Sequence, residues 1–134
     1  MVGAPNEDSP GVGIDGVQDQ SGELVMDSGA VYVFELGASG WAQSTYLKAA
    51  HPQSGSTFGA AVALSADGDT LLVGAPTEGS SATGVDGDQT DQSASSSGAG
   101  YVFVRTANTW SAQAYLKASN TSLGDHFGQS VALS

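Results

Sequence analysis

The chain has 134 residues, no cysteine, 14 acidic side chains and 3 basic ones, giving a net charge of −11. That length suits one ordinary domain. The charge argues against direct nucleic-acid binding, which needs Lys and Arg clusters against phosphate, and against an anionic membrane surface.

No disulfide can form, and no apolar run approaches the roughly 20 residues of a membrane-spanning helix. Gly, Ala and Ser are abundant while Lys, Arg and Glu are scarce. This composition favours short strands and turns over helices.

In chain order, the opening "MVGAPNEDSP" lacks the basic start and apolar core of a signal peptide. Its "VGAP", beginning at Val2, returns at Val73. "SGAVYVF" from Ser28 returns as "SGAGYVF" from Ser97. Trp41 answers to Trp110, and "YLKA" at Tyr46 to "YLKA" at Tyr115. "FGAAVALS" from Phe58 returns as "FGQSVALS" from Phe127. So many blocks in the same order define an internal repeat.

Each full unit predicts four strands. "GAAVALS" is the first, followed by a tight turn at "ADGD", because Asp-Gly is a hairpin signal. "TLLVGAP" is the second, stopped by Pro76, which cannot donate to a ladder. "AGYVFV" is the third, and Trp110 through "AYLKA" the fourth. Four short antiparallel strands per unit, repeated, fit β-propeller blades, with small residues innermost and aromatic residues where blades splay apart. A sandwich is the main rival.

"FGAAVALS" followed by "LLVGAP" resembles the FG-GAP repeat of integrin α-subunit propellers and of bacterial extracellular proteins. "YVF", a Trp and "YLKA" after each GAP make it most similar to the bacterial type. The resemblance covers nearly the whole chain. It implies an all-β fold of two four-stranded antiparallel blades, an extracellular or cell-surface location, and ligand binding by the loops at one end.

The repeat is offset. Residues 1–57 supply strands two to four of one blade, residues 58–126 a complete blade, and residues 127–134 a lone first strand. Val2, Gly3 and Ala4 are expected to pair with Phe127, Val131, Ala132 and Leu133 of another copy or of a neighbouring repeat. Another copy would give a head-to-tail ring or filament; a neighbouring repeat would make the chain part of a longer propeller.

A meander sends alternate loops to opposite ends. This puts Glu7, Asp8, Asp15, Asp19, Glu23, Asp27, Glu78, Asp86, Asp88, Asp91 and Asp125 at one end and Glu35, Asp67 and Asp69 at the other. At the acidic end, Glu7, Asp8, Glu23, Leu24, Val25, Met26, Asp27, Glu78 and Asp125 are the expected partner-binding residues. For the apolar trio Leu24, Val25 and Met26, tucking under its own loop is the favoured expectation and contact with a neighbouring chain the alternative.

No motif requires a cofactor. Two readings of the longer loop stay open: a solvated Ser/Gly/Asp loop, or a Ca²⁺ site through Asp86, Asp88 and Asp91, with Asp15 and Asp19 as counterparts in the first repeat. "SADGDT" is too short for the Ca²⁺ loop that the resemblance implies between strands one and two, so Asp67 and Asp69 are read as turn formers.

Several signals read as structural. "GVGIDG" neither follows a strand of a βαβ unit nor opens a helix, so it is no dinucleotide site. Lys48 and Lys117 are expected in salt bridges or stacked on Tyr, and Trp41 and Trp110 between blades. "NTS" at Asn120 is a glycosylation sequon.

The expected function is a non-catalytic extracellular propeller module for protein binding, adhesion and self-assembly. Its partners would be other copies or repeats and a cationic or cation-bridged protein, with no nucleic acid and no membrane insertion. The alternatives are a piece of a secreted propeller hydrolase or lyase, and a purely structural filament or spacer unit.

Overall fold

A computed structural model describes residues 1–134. Seven strands appear: β1 (Val2–Ala4), β2 (Ala30–Gly37), β3 (Gly40–Leu47), β4 (Ala61–Leu64), β5 (Thr70–Ala75), β6 (Ala99–Thr106) and β7 (Thr109–Leu116). They form two antiparallel sheets, β1-β2-β3 and β4-β5-β6-β7, and no helix is present. No helix is therefore long and apolar enough to cross a membrane.

The sheets repeat one another in register. Tyr32 lies opposite Tyr46 in the first sheet, and Tyr101 opposite Tyr115 in the second. In both sheets the ring centroids are 5.2 Å apart. The β2–β3 and β6–β7 ladders slip at the same place, between Val33 and Phe34 and between Val102 and Phe103.

The turns differ. Ala107 and Asn108 both have positive φ, as a type I′ turn requires, whereas the first sheet places the positive φ on Gly40. "ADGD" closes the β4–β5 hairpin, with Asp67 accepting from the Asp69 N–H at 3.0 Å.

The chain passes from one sheet to the next through Phe58 and Gly59. The Phe58 N–H donates to the Ser28 carbonyl at 3.0 Å, on the first sheet, and Gly59 N–H to the Gly74 carbonyl at 3.0 Å, on the second. The Phe58 ring then lies 5.1 Å from Tyr101, edge to face. Gly3 allows this crossing, because a Cβ there would run into the carbonyl oxygen of Gly59, and Gly74 makes the same room for Gly128 in the second repeat.

One apolar cluster runs through both sheets. Val31, Val33 and Leu47 contribute from the first, Leu71, Val73, Tyr101, Phe103 and Trp110 from the second, and Phe58 joins them. A fully buried Phe is worth about 1.5–3 kcal/mol over an exposed one.

Residues 129–134 form no strand within the single chain. Their repeat counterparts Ala61–Leu64 are a strand because β5 pairs with them. Strand geometry needs a ladder partner, and Val2–Ala4 sits in the other sheet. Phe127 repeats the docking of Phe58, donating from its N–H to the Ser97 carbonyl at 2.9 Å.

The two Trp residues part company. Trp110 is 5% exposed and lies beneath the Arg105 guanidinium, 5.6 Å from it. Trp41, expected between blades, is 71% exposed. It pairs across the ladder with Leu36, on the face opposite to that of Glu35, which meets the second sheet through Arg105.

Candidate functional site

Four loops gather at one end of the molecule: the connections β1–β2, β3–β4 and β5–β6, and the segment after β7. They are knitted by backbone bonds such as Gly55 N–H to Met26 O at 2.8 Å and Gly124 N–H to Ser95 O at 3.1 Å. The Gln53 amide crosses between loops to the Gln89 carbonyl at 3.0 Å.

Each repeat holds its loops with a buried ion pair. Lys48, at the end of β3, donates to Glu7 Oε2 at 2.7 Å and to Ser28 Oγ at 2.8 Å. The Tyr46 hydroxyl donates to the same Glu7 oxygen at 2.8 Å, and the Ser9 N–H to the other at 3.0 Å. In the second repeat Lys117 donates to Glu78 at 2.8 Å and to Ser97 at 2.8 Å, joined by Tyr115 at 3.0 Å and the Ser80 N–H at 3.0 Å.

Burial alone would raise the Glu7 carboxyl. The hydrogen bonds from Lys48, Gln20, Tyr46 and Ser9 outweigh it and bring the pKa down to about 2. Burial, with the neighbouring carboxylates, pushes the Tyr46 and Tyr115 hydroxyls well above the ordinary range.

This corrects the expectation that Glu7 and Glu78 are surface contacts for a partner. Both are buried and fully engaged. Spacing by loop ends could not distinguish an acid pointing out from one folded under. A signal existed in the repeat itself: Glu-x-Ser recurs at Glu7–Ser9 and Glu78–Ser80 beside the recurrent Tyr, Lys and Ser. The roles of Ser28 and Ser97 were missed with it. The salt-bridge reading of Lys48 and Lys117 agrees with the structure.

The acids expected as metal ligands do not come together as a group of three or more that could hold an ion. Asp15 and Asp86 are backbone staples. With φ of 52° and 55°, they accept from the Tyr46 N–H at 2.8 Å and the Tyr115 N–H at 2.9 Å. Their own N–H groups return bonds to the carbonyls of the same tyrosines. "GVGIDG" thus ends as an extension of the β3 edge, bridging Ile14 to Leu47.

Asp19 caps Ser21 at 2.9 Å and Asp88 caps Thr90 at 2.8 Å. Asp91 accepts from Ser93 N–H at 3.0 Å and from the Ser81 N–H and hydroxyl, and these bonds hold its carboxyl far below the usual range. Asp8 accepts from the Asp27 N–H at 2.7 Å, Asp27 from the Asn6 amide at 2.7 Å, and Asp125 from the Ser122 N–H at 2.7 Å. Glu23 is exposed, as is Asn120 in a turn.

Leu24 and Met26 correct the tucking expectation: both are exposed, and Val25 is half-buried. The loop is fixed through its backbone instead, by Val25 N–H to Asp8 O at 2.9 Å.

All three Lys and Arg side chains are paired. Lys48 and Lys117 lie inside, and Arg105 at the opposite end bridges Glu35 at 3.1 Å and Asp69 at 3.0 Å. The loop end therefore carries Asp8, Asp15, Asp19, Glu23, Asp27, Asp86, Asp88, Asp91 and Asp125 with no Lys or Arg at its surface, where the exposed His51 and His126 are the other ionisable side chains. Such a surface has a field that attracts cations.

No protein-family model matches the chain, and no curated protein sequence matches it.

Proposed function

We propose that the chain is a non-catalytic extracellular β-propeller repeat module of the FG-GAP type. It binds protein partners through its acidic loop end and assembles head to tail by strand addition. The location and the propeller follow from the resemblance.

The observation that carries the assembly reading is the open edge of β1. In the second sheet β4 covers the equivalent edge of β5, pairing Ala61 with Gly74 and Val62 with Val73. Beside β1 that place is free, and Val2 is exposed. A free edge is a template for another strand. Residues 129–134 have the β4 sequence pattern and no ladder of their own. Transferring the internal register pairs Ser130 with Gly3 and Val131 with Val2 of another copy, or of a further repeat.

The loop end supports the binding reading through its uncompensated acids and the exposed Leu24 and Met26. The non-catalytic reading is supported by the buried ionisable groups, which spend their hydrogen bonds on one another in a structural clamp.

Mass measurement in solution tests the assembly. The wild-type chain should form a discrete oligomer or a filament. Ser130→Pro should return it to a folded monomer, since Ser130, the counterpart of Ala61, falls at the hydrogen-bonding pair with Gly3 and Pro cannot donate to a ladder. A wild-type chain that is folded and monomeric across the accessible concentration range overturns the assembly reading.

A further inference from the structure

The two sheets are repeats, yet equivalent residues differ sharply in exposure. On the second sheet, Val73, Phe103 and Trp110 are buried against the first. Their counterparts Val2, Phe34 and Trp41 face outward from the first sheet and are exposed. The reverse holds on the other side. Phe58 and Leu47 are wholly buried between the sheets, while their counterparts Phe127 and Leu116 are exposed and half-exposed.

The internal interface is thus made from one face of each kind, and one of each kind is left open. The molecule itself contains the joint that would cover them.

The differences between repeats point the same way. Across the internal joint Arg105 meets Glu35. At the corresponding places on the open faces stand Leu36 and Val104. Mating these faces would bury no unpaired charge there. A cavity of about 310 Å³, walled by Leu72, Leu116, Phe127 and Val131, lies on the open face of the second sheet. Inside the molecule, the rings of Tyr101 and Phe103 pack on Phe58 at the equivalent position.

We propose that these two faces are the docking surface between copies of this chain. The open face of the first sheet in one copy packs on the open face of the second sheet in the next. The Phe127 ring meets Tyr32 and Phe34, and Trp41 is covered as Trp110 is. The contact is heterologous, so it propagates to a ring or a filament. This deepens the assembly reading above and rests on it for the meeting of copies. It adds which surface is buried, and it makes burial of Trp41 the signature.

The experiment is a dilution series of the full chain, following Trp emission and acrylamide quenching beside the mass. Trp41→Phe serves as the control that removes the reporter. On association, wild-type emission should shift to the blue and quenching should fall, and Trp41→Phe should show neither change. Trp41→Asp and Phe127→Ala should each raise the midpoint concentration at least tenfold. Both sites are exposed in the single chain, and circular dichroism checks that each variant folds.

If copies associate while Trp41 stays as quenchable as in dilute solution, the face is wrong and the assembly reading survives. If Ser130→Pro abolishes association while Trp41→Asp associates normally, assembly belongs to the strand alone and the face is again overturned. A wild-type monomer at every concentration overturns both.

Discussion

The ammonium of Lys48 touches the Glu7 carboxylate at 2.7 Å, and none of the Lys48 side chain meets solvent. The same pair, Lys117 with Glu78 at 2.8 Å, recurs in the second repeat. Removing one partner of such a pair strands the other in a low-dielectric site. Lys48→Met and Lys117→Met should each cost about 3–5 kcal/mol, read as a shift in the urea midpoint. Replacing both members of a pair with apolar residues should restore most of the loss.

Glu7 also sets a pH dependence. Its pKa is lowered in the folded chain from 4.5 to about 2. A depressed carboxylate contributes stability that is fully present above its unfolded value and is lost as pH falls through the folded one. Stability should therefore drop between about pH 4.5 and pH 2, by up to roughly 3 kcal/mol from this group. In Glu7→Gln the drop should be smaller over the same window. An unchanged slope in denaturation curves across that window would reject Glu7 as its source.

The FG crossing should be intolerant of side chains. Gly74→Ala must push the Gly128 carbonyl away, and Gly3→Ala the Gly59 carbonyl. Overpacking against backbone should cost about 1–3 kcal/mol in each case, seen as a lower melting temperature. Gly22, whose missing Cβ would meet nothing within 4 Å, is the tolerant control.

Asp15 and Asp86 should behave as staples. Asp86→Ala leaves the Tyr115 N–H without its side-chain acceptor, a loss of about 1 kcal/mol. The loss should be the same in EDTA as in millimolar Ca²⁺. A melting temperature that rises with Ca²⁺ in wild type and not in the variant would instead assign Asp86 to an ion site.

The loop end predicts a salt signature. A lysine-rich peptide should bind the full chain, weaken as salt screens the charges, and weaken further in Asp19→Asn/Glu23→Gln. Self-association through apolar faces should respond oppositely, because salt screens the repulsion between like-charged copies. Titration calorimetry and mass measurement at two salt concentrations separate the two.

Strands and hairpins were legible because their cause is local. Alternation in "AGYVFV", the Asp-Gly turn at Gly68 and the block at Pro76 each act within a few residues. The repeat itself was legible because both sheets obey the same pattern. The fate of the acids was not. Glu7 and Asp8 are neighbours in sequence, yet Glu7 is buried on a lysine 41 residues away while Asp8 holds the Asp27 N–H near the surface. Nothing local distinguishes them, since only the fold brings Lys48 and Tyr46 to one of the two.

By itself the sequence determined an all-β chain of two matching units with its acids concentrated at one end, since pattern and composition act through short-range sterics and charge. Tertiary structure alone decided which copy of each repeated side chain is inside. Trp110 is covered and Trp41 is open, although their sequence surroundings match. The physical reason is position: the second sheet has the first against its aromatic face, and no strand among residues 1–134 lies against the same face of the first.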